Sequence, residues 1–202
     1  MTESQFIIFR VIVGVVLVGI VAAICVSDTR ERRIPNNLVL AGLLLALIFN
    51  SVTPLGYGLF DYYTPGGVGF AASAYGALAV FVLFFALYAL RIMGAGDVKL
   101  MAFFGALFGG LTVIDFTVTV FLCGGLLALS RMFNAERRAK VLMNLKLITL
   151  DRIVSPTGRD QSFDPNTDTA ERLPFALAIC GAATVVAVSQ FTGLELPWSV
   201  VA

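Results

Sequence analysis

Apolar runs separated by connections that alternate between basic and uncharged set the tightest limit on this chain. The runs cover 6–26, 38–49, 68–90, 100–112, 114–132 and 173–191. Of the 14 Lys and Arg, three fall in 28–37, two in 91–99 and eight in 131–172. The intervening connections, around 50–66 and 113–116, and the stretch 193–202 hold none; Arg10 alone breaks the pattern. Cytoplasmic loops of membrane proteins carry the excess of Lys and Arg. The expected fold is therefore all-α: a polytopic membrane protein of six transmembrane helices, both termini outside and the basic connections in the cytoplasm. Composition agrees, with 58% hydrophobic and 13% charged residues, against about 25% charged in soluble domains.

The runs 38–49 and 100–112 are short for a bilayer core of about 30 Å. The stretch 100–132 is long for one helix, and Gly109–Gly110 with Asp115 places a break there. The first run has Glu3 ahead of it and Arg30, Arg32 and Arg33 behind it. That is the reverse of an export signal, so a retained helix is expected. One membrane domain spans 1–202, with a cytoplasmic loop at 133–172. Within that loop, 134–154 mixes Arg137, Arg138, Lys140 and Lys146 with Leu142, Leu145 and Ile148, a pattern suited to lying on anionic lipid. Residues 155–169 are rich in turn formers.

Chemistry is narrowed by what is missing. The chain has no His, which removes Ser/His and Cys/His nucleophile systems and most zinc sites. Cys25, Cys123 and Cys180 are isolated in apolar runs, and no CxxC pair occurs. Neither metal nor cofactor is expected, and no nucleic acid partner.

Two aspartates remain. "SDTRERRIPNN" at 27–37 puts Asp28 at the cytoplasmic end of the first helix. "MGAGDVKL" at 93–100 puts Asp97 at the cytoplasmic start of the fourth. A carboxylate deep in a membrane costs about 2.5–3.5 kcal/mol on insertion scales and usually has a partner or a function. At the interface it costs less, so helix capping or pairing with Arg would also account for either residue alone. Gly94 and Gly96 frame Asp97 with backbone that can bend or admit a substrate strand. Pro35 stiffens the turn into the second helix, which Asn36 or Asn37 can cap. Lys99 fits two roles, contact with a substrate carboxylate or the dyad, and a cation snorkelling to the interface. Two facing carboxyls share one proton, and the pair can hydrolyse a peptide as general base and general acid.

Asp28 with "IPN" at 34–36, "GAGDVKL" at 94–100 and "LPFALAI" at 173–179 resembles the prepilin peptidases, bacterial GxGD-type aspartic proteases of the inner membrane. The resemblance implies Asp28 and Asp97 as the catalytic pair, with Gly94 and Gly96 shaping the loop before Asp97. It implies removal of the short leader from type IV prepilin or pseudopilin precursors at the cytoplasmic membrane surface. Long members carry a CxxC zinc module between the first two helices and also methylate the new N-terminus. This chain resembles the short form that serves Flp-type, tight-adherence pili, so proteolysis without methylation is expected. Cleavage inside a substrate helix, as in presenilin-like proteases, is a rival reading. A proton-coupled carrier using Asp28 and Asp97, and a purely structural subunit, are two more.

Overall fold

The computed structural model describes residues 3–53, 59, 68–90, 93–132, 175–194 and 196–199. Among them six helices and no strand occur: α1 (Glu3–Glu31), α2 (Asn36–Val52), α3 (Gly69–Ala89), α4 (Ala95–Phe108), α5 (Thr112–Met132) and α6 (Phe175–Thr192). The basic segment at 134–154, the turn-rich 155–169 and Pro174 lie outside the described residues. The chain forms two compact units, Met1–Gly124 with Pro174–Ala202, and Gly125–Leu173. The first of these carries every residue of the candidate site described below.

Three stretches are long and apolar enough to cross a membrane: Ile7–Glu31, Gly69–Ala89 and Thr112–Ser130. Asn36–Val52 and Phe175–Gln190 are apolar but shorter. The outer face of α1 leaves Ile7, Ile8, Val11, Ile12, Val15 and Val18 exposed, an apolar surface suited to lipid. Apolar length makes the chain an integral membrane protein.

Helix α4 is built differently. Its 14 residues reach only about 21 Å at 1.5 Å each. It is enclosed by protein: Leu100 through Phe108 are all buried, and α2, α3 and α6 pack on it. A helix apolar on every side is stable where neighbours cover every side. Contact with α3 is closest, because a β-carbon on Gly105 would stand 2.6 Å from the Gly76 carbonyl oxygen. The two backbones touch there, and only small residues permit it.

The break ahead of α5 falls at Gly109 and Gly110, with φ of +57° and +50°. A β-carbon on Gly109 would also lie 2.7 Å from Val68 Cγ2. Ending α4 there leaves the Ala106 and Leu107 carbonyls without their usual helical donors. Asn50 Nδ2 donates to Ala106 O at 2.9 Å and to Leu107 O at 3.4 Å, while Ser73 Oγ donates to Ala106 O at 2.6 Å. In a membrane interior no water could replace those donors.

At the start of α2 the structure corrects one expectation. Pro35 occupies the cap position with extended backbone, and no side chain caps the helix. Asn36 and Asn37 already lie inside it, and the amide of Asn36 is turned toward α4.

A candidate active site where two motifs meet

Asp28 sits in the last turn of α1, with only 7% of its surface exposed. The chain leaves that helix through Arg32, whose φ is +52°. Arg32 N–H donates to Asp28 O at 3.1 Å and Ser27 Oγ donates to Arg33 O at 2.9 Å. These bonds fold the exit back on itself, so residues 32–35 suffice to turn into α2.

Asp97 is the third residue of α4, and Gly94 is that helix's cap, with φ −77° and ψ 148°. From this position a carboxyl can reach back to the cap's own N–H, one half of a capping box. The Gly94 N–H is directed at Asp97. A β-carbon on Gly94 would meet Asp97 Oδ2 at 3.1 Å. The missing side chain at 94 therefore leaves room for the carboxyl itself.

The two motifs are packed on each other. A β-carbon on Gly96 would stand 3.1 Å from Ile34 Cβ, so Ile34 fills the room that Gly96 leaves. The missing side chain at Gly96 thus makes room for a contact within the chain. Lys99 Nζ donates to Asn36 Oδ1 at 3.1 Å. Lys99 with Asn36, and Gly96 with Ile34, join the amino ends of α4 and α2.

Asp97 lies outside the three long apolar spans. Burial first, and next the nearby charge of Asp28, raise its carboxyl to about 6 against the opposing Gly94 N–H. A buried carboxyl beside a second one keeps its proton into the mildly acid range. The pair therefore offers what hydrolysis needs: one carboxyl able to hold a proton, and another able to take one from water.

The amino end of α6 also reaches this place. The Ala176 N–H is directed at Asp28, and Phe175 packs against Gly124, where a β-carbon would come within 2.8 Å of its ring. Sequence reasoning did not name Ala176, since a backbone N–H has no residue signature. It also treated Asp115 only as a marker of a helix break. Asp115 is 2% exposed, and its Oδ2 accepts a hydrogen bond from Ser199 Oγ at 2.8 Å. Trp198 Nε1 donates to Thr119 Oγ1 at 3.1 Å nearby. These bonds tie residues 198–199 onto the first turns of α5.

No curated protein and no solved structure matches the chain. Residues 15–129 match the model of the type IV leader peptidase family. That stretch is more than half of the chain and includes both aspartates, both glycines of the loop and the "IPN" turn. The protein that brings these motifs together is thus a peptidase by descent, and the chain belongs to the type IV leader peptidase family.

Proposed function

We propose that the protein is a membrane aspartic endopeptidase that removes the short leader of type IV prepilin-like precursors, Flp-type pilins or pseudopilins among them. Asp28 and Asp97 are its catalytic pair. One observation carries the reading: α1 and α4 bring the two carboxyls close enough for the charge of one to raise the proton affinity of the other. The ionised member takes a proton from water as the water attacks the scissile carbonyl. The protonated member donates to the carbonyl oxygen, and the pair then protonates the leaving amine.

Gly94 and Gly96 shape the loop, while Pro35, Asn36 and Lys99 hold the facing turn in register. The basic connections support a cytoplasmic site in a bacterial inner membrane, with six spans and both termini outside. A leader leaving its apolar helix on the cytoplasmic side would arrive there. Cleavage without methylation is supported by the α1–α2 connection, which runs only from Arg32 to Pro35 and has no cysteine. Such a turn has no room for a zinc module or for a methyl-donor site.

The test is cleavage of a co-expressed prepilin by wild type, Asp28→Asn and Asp97→Asn, with membrane insertion checked for all three. Both variants are expected to lose cleavage, with the wild-type cut at the leader boundary. If either variant cuts at the wild-type rate, the dyad is wrong. A cut inside the apolar helix would instead favour general intramembrane proteolysis.

A further inference from the structure

Asp28 is shut in. It is only 7% exposed, and its Oδ2 is buried with no hydrogen-bond partner among the described residues. Acid–base work on a peptide needs the reacting atoms within about 2.6–3.2 Å of a carboxyl oxygen. A neighbouring element therefore has to give way before a prepilin can be cut.

Helices α2 and α6 pack on α1. Residues 32–35 join α2 to α1 through a turn folded back by the Arg32 and Ser27 hydrogen bonds. Phe9 of α1 also stacks on Phe49 of α2, ring centroids 5.6 Å apart. Helix α6 arrives from far along the chain and meets α1 where the Ala176 N–H is directed at Asp28. The seam between α1 and α6 is thus the joint that can part, and Asp28 lies in it.

Two thiols face each other one turn along the same seam. Cys25 precedes Asp28 by three residues and Cys180 follows Ala176 by four, and both spacings keep to one helix face. The last turn of α1 meets the first turn of α6, so the two steps lead to one level, where the thiols are hydrogen-bonded. Cys180 belongs to the buried core, and the half-buried Cys25 packs against it. At the same spacing follow Val21 and Leu17 on α1 and Ala183 and Val186 on α6, all apolar. Apolar contacts can slide and part; a covalent bond cannot.

We infer that Cys25 and Cys180 form a thiol switch: as a disulfide they pin α1 to α6 and close Asp28 to substrate, and as thiols they let the seam open. The inference rests on the two-aspartate reading and adds its regulation. The oxidant is a hydroperoxide, small enough to reach a half-buried thiol. Cys25 Sγ bonds to one peroxide oxygen, the O–O bond breaks, and the thiol proton leaves with the second oxygen as water. Cys180 Sγ then bonds to Cys25 Sγ, the S–O bond breaks, and the Cys180 proton leaves with the hydroxyl as a second water. The two sulfurs are oxidised and the two oxygens reduced. From hydrogen-bond contact, an S–S bond of about 2.05 Å asks for a small further approach. On the cytoplasmic side proposed above, thiols are kept reduced, so the open pair is the resting state.

The test uses the full chain with a prepilin in proteoliposomes, treated with hydrogen peroxide and digested without reductant for mass spectrometry. A peptide linked through Cys25 and Cys180 is expected, with cleavage down by about tenfold or more and restored by dithiothreitol. Cys25→Ala and Cys180→Ala should each cleave at near the wild-type rate and keep that rate in peroxide. Cys123→Ala should respond as wild type does. Should one alanine variant fail to insert, the other decides.

Absence of the linked peptide, a linked peptide with cleavage unchanged, or equal inhibition of Cys25→Ala overturns the inference. Asp28→Asn and Asp97→Asn separate it from the reading beneath it. If both are inactive and oxidation leaves wild-type cleavage untouched, only the switch fails. If either still cleaves at the wild-type rate, the dyad fails, and the account of what the seam closes fails with it.

Discussion

Lys99 Nζ lies 3.1 Å from Asn36 Oδ1 and donates to it, which joins the helix that carries Asp97 to the first residue of α2. The ammonium sits two residues beyond Asp97, yet its partner is a neutral amide on α2. That bond ties the amino end of α4 to the amino end of α2. Ile34 against Gly96 does the same by contact.

Removing the ammonium should loosen that tie without unfolding the protein. An exposed hydrogen bond of this kind is worth about 0.5–1.5 kcal/mol. Lys99→Met is expected to lower kcat/KM for prepilin by roughly two- to tenfold, with thermal stability nearly unchanged. Asn36→Leu should give a similar loss, and the double variant little more than either single one. Losses that simply multiply would show that the two residues act apart.

Gly96→Ala sets two effects against each other. Replacing a helical glycine gains up to about 1 kcal/mol in propensity. Crowding Ile34 costs about 1–3 kcal/mol, because the contact at 3.1 Å is with the Cβ of Ile34, which cannot swing aside as the end of a long side chain can. Crowding should win, pushing the "IPN" turn away from α4. Cleavage is expected to fall more than stability does. An active, stabilised Gly96→Ala variant would show that the turn yields freely.

What could be read from the sequence depended on how local each cause was. The end of α4 was legible because two adjacent glycines interrupt an apolar stretch, and Gly109 and Gly110 do take positive φ. The continuation of α1 beyond Asp28 to Glu31 was not, because its polar residues follow the apolar run and look like loop. Asn50 gave no signal at all: its acceptors are carbonyls 56 and 57 positions away, exposed only because α4 stops early. Asp115 likewise meets Ser199 across 84 positions. In the candidate site, spacing drew attention to both aspartates and their glycines. The Ala176 N–H and the Ile34 contact depend on packing that no local pattern encodes.

Asn50 is the next place to test. Asn50→Leu keeps roughly the same volume but removes the donor to Leu107 O and one of two donors to Ala106 O. A buried carbonyl left unpaired costs about 1–3 kcal/mol. The variant should melt earlier in detergent, and Asn50→Asp should be as unstable, since an ionised carboxylate offers no N–H. Residual cleavage at low temperature should survive in both, because the damage lies at the opposite end of α4 from Asp97. Full stability of Asn50→Leu would mean that other groups serve the Leu107 carbonyl.

The pH dependence follows from Asp97. Its carboxyl is raised from an ordinary value of 3.8 to about 6, first by burial and next by the Asp28 charge. A carboxyl raised by folding favours the folded state while it is protonated. Its stabilising contribution is therefore fully present below about 3.8 and is lost as pH rises through about 6. If Asp97 is the member that holds the proton, the hydrolytic rate follows the same fraction. Cleavage should decline above about pH 6 and approach a tenfold drop per further pH unit. Replacing Asp28 by Asn removes the like charge but also the base, so it cannot test this limb. Raising the ionic strength can: the alkaline limb should move by only a small amount, because buried charges are weakly screened. A rate that stays flat into strongly alkaline pH would show that no carboxyl of this pair needs its proton.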